Sequence, residues 1–199
     1  MPEETAATRF QALARLHVSC LPESLISLLG LSFANQFYRF IETSKTEHLG
    51  FIQDQNRIIG AYVLSYAPDS LFRRLLFNTW LIFWAPLALV RPPLLRAILE
   101  AVSPTHGEGL ICGPELLLIF VADDQRSKGI GQKLLALCEQ ELQDNGYDRY
   151  FVRTLDDTNN LAHKVYVNVG FTRVGLMTHG GRKLAVLEKR LPEKTTPGE

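Results

Sequence analysis

The chain has 199 residues, 46% hydrophobic and 21% charged, with 21 basic side chains set against 21 acidic ones. That length suits one domain, the apolar share excludes an intrinsically disordered chain, and zero net charge supplies no general attraction for nucleic acid or an anionic membrane. The three cysteines, Cys20, Cys112 and Cys138, lack C-x-x-C spacing, which argues against a disulfide framework and a zinc site, and no metal is implied.

The first residues, Met1-Pro2-Glu3-Glu4-Thr5, are acidic and lack the apolar core of a signal peptide, so a cytoplasmic protein is expected. Apolar positions at Phe10, Leu13, Leu16 and Val18 predict a helix over 9–20, with His17 as a residue of its surface. After Leu21-Pro22-Glu23-Ser24, a second helical stretch over 25–41 should break or kink near Gly30. Two short strands, 48–53 and 58–66, joined by the polar turn 54–57, predict a hairpin.

Segment 67–114 reads as an apolar helical insertion. Its stretch 75–90 carries no charge and includes Trp80 and Trp84, but stops at Arg91-Pro92-Pro93, short of the roughly 20 apolar residues that a membrane span needs. Three functional readings stand: a helical cap over an apolar acceptor pocket, a homodimer interface, or a peripheral membrane contact through 75–99. In the last, Arg73, Arg74, Arg91 and Arg96 would meet lipid phosphates. A buried helical hairpin is the plain alternative.

The run Glu115–Val121 (ELLLIFV) has the continuous apolar character of a strand covered on both faces. A polar loop leads into a helix over 130–144, with Leu134, Leu135, Cys138 and Leu142 on one face and Asn145-Gly146 as its stop; Cys138 is expected to be a buried, inert thiol. A strand over 150–154, a helix over 161–169 and a strand pair, 171–177 and 183–191, follow around His179-Gly180-Gly181. The whole is an α/β (α+β) domain over 1–192, a mixed sheet with helices on both faces, and 193–199 is expected to be a disordered tail.

Arg126-Ser127-Lys128-Gly129-Ile130-Gly131 follows a buried strand and opens a helix. Helix N-termini carry unpaired N–H groups and the positive dipole end, and glycines let a ligand approach the main chain, so this loop suits a pyrophosphate. It lacks the Gly-Lys-Ser/Thr of a Walker loop and the three glycines of a Rossmann fingerprint. By itself such a segment can equally be only a turn.

The stretch LLLIFVADDQRSKGIGQKLL resembles the coenzyme A motif of the GNAT acyltransferases, in which Val and four residues precede Arg/Gln-x-x-Gly-x-Gly/Ala; Asp123 stands where many members have Pro. Residues 159–171 are similar to the family's second signature, with Asn159, Ala162, Tyr166, Gly170 and Phe171 at its fixed positions. The resemblance spans 115–171 and implies a GNAT fold, a largely antiparallel sheet split at the cofactor site, with acetyl-CoA (or another acyl-CoA) as co-substrate. It implies cofactor contacts from the main chain of Ile119, Phe120 and Val121, from Arg126, Ser127, Lys128, Gly129, Ile130 and Gly131, and from Asn159 and Tyr166. Tyr166 would give its hydroxyl proton to the departing thiolate, and a strand bulge would open the gap that holds the thioester.

The histone-acetylating branch keeps its general-base glutamate where this chain has Glu115, which makes Glu115 the first candidate base; a solvated strand-end carboxylate is the alternative. His163 and His179 are weaker candidates. The expected reaction moves an acetyl or other short acyl group to a small-molecule amine of unspecified identity. A non-catalytic acyl-CoA sensor and an O-acyl or longer-chain transferase acting on an apolar or membrane-associated acceptor are the alternatives.

Overall fold

The computed structural model describes residues 2–78, 106–108, 113–157, 160–179 and 182–192. Helix α1 (Pro2–Cys20) leads to the short α2 (Leu25–Leu28), capped by the Ser24 hydroxyl, and to α3 (Leu31–Thr43). The expected break falls at Gly30, whose φ of 93° is open to glycine and costly for a residue with a Cβ. Strands β1 (Glu47–Asp54) and β2 (Arg57–Ser65) form the hairpin, and Gln55 and Asn56, both at positive φ, make its two-residue turn.

Helix α4 (Pro68–Asn78), β3 (His106–Glu108) and β4 (Glu115–Val121) follow. Then come α5 (Ile130–Asp144), β5 (Arg149–Leu155), α6 (Leu161–Asn168), β6 (Thr172–His179) and β7 (Arg182–Arg190). The sheet order is β1-β2-β4-β5-β7-β6-β3, antiparallel throughout except for the β4–β5 pair. Segment 67–114 is thus not wholly helical: β3 pairs with β6 and adds an edge strand. Leu75, where the uncharged run begins, is buried in the core. Trp80, Trp84 and the rest of that run past Asn78, like the 193–199 tail, lie outside the described residues. No helix among the described residues is long and apolar enough to cross a membrane.

Side-chain alternation along β2 divides the core. Ala61 and Val63 pack with Phe120 against α1 and α3, while Tyr62 and Leu64 pack with Leu116, Tyr150 and Val152 against α5. At Gly60 a Cβ would come within 2.9 Å of Leu134 and 3.1 Å of the Phe120 carbonyl, so the glycine lets α5 close on the sheet. His17 is not on the surface. It lies on the same α1 face as Phe10, Leu13 and Ala14, seven, four and three residues back, and is fully buried. Its Nδ1 is 2.6 Å from the Tyr38 hydroxyl and its Nε2 2.9 Å from the Ser24 hydroxyl, which satisfies both ring nitrogens in the core.

Candidate active site

Strands β4 and β5 run parallel but meet only at Glu115 and Phe151, where the Phe151 N–H also donates to the Pro114 carbonyl at 3.0 Å. Beyond that point they part. The cause is visible in β4: Val63 faces Leu118 and Leu64 faces Leu116, so Leu117 is an extra residue that bends the strand.

Antiparallel pairing turns alternate residues toward opposite neighbours. The Ala122 N–H donates to Ile59 at 2.9 Å, so Ala122, Phe120 and Leu118 direct their main-chain groups at β2. Ile119 and Val121 direct theirs into the gap beside β5. Of the three strand residues expected to meet the cofactor, Ile119 and Val121 face the gap and Phe120 faces β2. The Val121 carbonyl accepts a hydrogen bond from the Cys20 thiol at 3.4 Å.

At the wide end of the gap, a 3₁₀ turn (Asp123–Gln125) precedes the loop. Ser127 has φ 63°, rare for a residue with a Cβ, and Gly129 has φ 77°. No side chain caps α5 at Gly129, and the first bond of that helix runs from the Lys133 N–H to the Gly129 carbonyl at 3.1 Å. The earlier N–H groups therefore have no acceptor inside the helix. A Cβ at Gly129 or Gly131 would meet nothing within 4 Å, so the space before these amides is open. Arg126 is exposed and pairs with Asp123 at 2.7 Å, and Lys128 donates to Gln125 at 3.3 Å. An open, amide-lined helix start next to a parted strand pair fits a diphosphate joined to an extended amide-bearing arm, which is the chemistry of coenzyme A.

Tyr166 packs edge-on to Phe171, with centroids 5.2 Å apart, and against the α5 side of the core. Its hydroxyl has no hydrogen-bond partner among the described residues, and burial pushes its pKa up to about 12. Asn159 lies outside the described residues. Its neighbour Asn160 caps α6, accepting from the Ala162 N–H at 3.0 Å and donating to the Thr154 hydroxyl at 3.0 Å. His163 Nδ1 is buried without a partner among the described residues, and the His179 side chain falls outside them.

Glu115 is not solvated. It is 3% exposed, and Arg153 grips it with a two-pronged contact, Nε donating to Oε1 at 2.6 Å and the second prong closing on Oε2. Burial pushes the Glu115 carboxyl up and the Arg153 guanidinium pulls it back, with a net upward shift. Arg153 was not legible as a partner in the sequence. The only hint is a charged residue among the apolar ones of β5. By strand alternation Glu115 lies on the face of Ala61 and Val63, while Tyr166 packs on the opposite, α5 face. The gap between β4 and β5 lies between the two faces.

A split mixed sheet with an open, amide-lined helix start at one end of the split has the geometry that suits an acyl-coenzyme A. Residues 104–171 match the family model described as Acetyltransferase (GNAT) family. A curated relative, Acetyltransferase Atu2258 of Agrobacterium fabrum, is 35% identical over 75 residues, 37% of this chain and 53% of that protein; the match spans about half the relative's length. Among solved structures, an acetyltransferase superposes with a TM-score of 0.60 at 19% identity, covering 94% of this chain and 96% of that one. An aminoglycoside 6'-N-acetyltransferase complexed with coenzyme A gives 0.57 at 14% identity, covering 94% and 93%. The matched stretch, which takes in β4, the loop before α5, α5, β5 and α6, is thus similar to the GNAT acetyltransferases, and the superpositions show the same fold.

Proposed function

We propose that the protein transfers an acetyl or other short acyl group from acyl-coenzyme A to an amine. The observation that carries this reading is the β4–β5 gap, joined at Glu115 and Phe151 and opened by the Leu117 bulge, with Ile119 and Val121 facing it. Acetyl-coenzyme A supplies an activated thioester. The α5 start from Arg126 to Gly131 holds its phosphates, and the main chain of Ile119 and Val121 holds the amide-bearing arm. An Ile119 N–H beside the thioester carbonyl would stabilise the oxyanion that forms on attack. Tyr166, a phenol protonated at neutral pH and kept so well into the alkaline range by burial, donates to the departing thiolate. Glu115 takes the amine proton through water from the opposite face of the sheet. Catalysis takes place in the cytoplasm.

The test is release of free coenzyme A thiol from acetyl-coenzyme A across a panel of amines: polyamines, amino sugars, and peptides with free N-termini or lysines. Product masses raised by one acetyl group support N-transfer. Tight coenzyme A binding with no turnover on any amine or alcohol would favour an acyl-CoA sensor. Turnover confined to alcohols or to long-chain thioesters would favour the O-acyl or longer-chain alternative.

A further inference from the structure

The sheet places two buried carboxylates in one row. Glu47 on β1 stands opposite Ser65 on β2, which stands opposite Glu115 on β4, which stands opposite Phe151 on β5. Glu47 is fully committed: Arg74 of α4 binds it at 2.5 Å, Ser65 donates to Oε1 at 2.9 Å, and Ser44 and Thr46 donate to Oε2. Glu115 differs. Arg153 is its sole partner among the described residues, and it stands at the point where the strands part.

We propose that Arg153 is a positioning residue, which reaches from β5 to β4 to hold Glu115 ionised and oriented at the apex of the gap. The proposal rests on the reading of Glu115 as base. A bidentate guanidinium fixes a carboxylate in its own plane, leaving the outer lone pairs for a water or an incoming amine. A buried carboxylate without such a partner takes up a proton instead of carrying a charge. The other groups around Glu115 cannot replace the arginine. Ser65 of β2 is neutral and bonded to Glu47, Phe151 of β5 is apolar, and Asp69 of α4 adds a negative field that opposes ionisation. Arg74 is held by Glu47. Burial raises the Glu115 carboxyl, and the hydrogen bonds and charge of Arg153 counter that rise.

The experiment is the pH dependence of kcat/KM for the amine, with the best acceptor from the panel, in the wild type, R153M, R153Q, R153K and E115Q. Removing the charge should move the acid limb of R153M up by about 1–3 pH units, with activity recovering at high pH. R153K, which keeps a charge, should bring the limb back toward the wild type. A uniform loss in R153M with an unmoved limb would make Arg153 only a clasp between strands and overturn the proposal. If R153M does not fold, R153Q decides by the same criterion. A wild-type profile in E115Q would instead remove Glu115 from the base role, a failure of the underlying reading that R153M alone cannot mimic.

Discussion

The Cys20 thiol donates to the Val121 carbonyl at 3.4 Å, tying the last residue of α1 to the strand that faces the gap. Burial and Asp123 raise its pKa while Arg126 lowers it, with a net rise, so the thiol sits beside the loop before α5 in its protonated form. Bound coenzyme A should therefore shield it. Mass mapping after alkylation at mildly alkaline pH should show Cys20 modified slowly in the free protein and several-fold more slowly with coenzyme A present. Cys138, fully buried and with its thiol pushed far up by burial, should stay unmodified until the protein unfolds. Equal Cys20 rates with and without coenzyme A would place the arm elsewhere.

Gly131 offers a cleaner test of the phosphate loop than Gly129, because Gly129 needs its φ of 77° and any replacement there strains the backbone. Gly131→Asp would set a carboxylate before the α5 amides. Its coenzyme A dissociation constant should rise at least tenfold, about 1.4 kcal/mol, by calorimetry. Gly131→Ala should fold normally, since a Cβ there meets no protein atom within 4 Å. Unchanged affinity in a folded Gly131→Asp protein would move the phosphates away from this helix.

Tyr166→Phe removes one oxygen and keeps the edge contact with Phe171. Turnover should fall by about 10²-fold or more while the coenzyme A dissociation constant stays within a few-fold, the signature of a group that acts in the transition state. With the phenol at about 12, no alkaline limb of the wild-type profile below pH 10 should disappear in the variant. Turnover near wild type would make Tyr166 a packing residue.

His17 gives a stability prediction. Burial lowers its pKa from 6.5 to about 4, so as pH falls below 6.5 the unfolded chain takes up the proton first. The folded form resists protonation until about pH 4, and stability is lost across that window while being fully present above it. That displacement corresponds to about 3 kcal/mol. Urea unfolding of the wild type at stepped pH should show this loss. His17→Asn, less stable at pH 7 because Tyr38 and Ser24 lose a partner, should lack this component of the slope. The same slope in both proteins would assign the acid sensitivity to other groups.

Much of this architecture is local in origin, and that part was legible in the chain alone. The apolar run 115–121, the Gly129 and Gly131 helix start, the Gly30 break and the Asn145-Gly146 stop each depend on neighbouring residues, so their elements fall within a residue or two of expectation, though half-burial at Leu117, Leu118, Ile119 and Val121 departs from a strand covered on both faces. Pairing across the sheet is not local. Whether Ile119 or Phe120 faces the gap follows from the register of β4 on β2, which the Leu117 bulge sets, and no periodicity within β4 encodes it. His17 looked like a surface residue because only the hydroxyls of Tyr38 and Ser24, brought in by α3 and the α1–α2 turn, make its burial tolerable. Glu115 could be read as a base or as a solvated strand-end carboxylate because its neutralising charge lies 38 positions away, on β5. Chemistry-bearing residue types were fixed by sequence, whereas their partners, and so their protonation states, were set by strand order and register, because desolvation and ion pairing depend on what folding brings within a few ångströms.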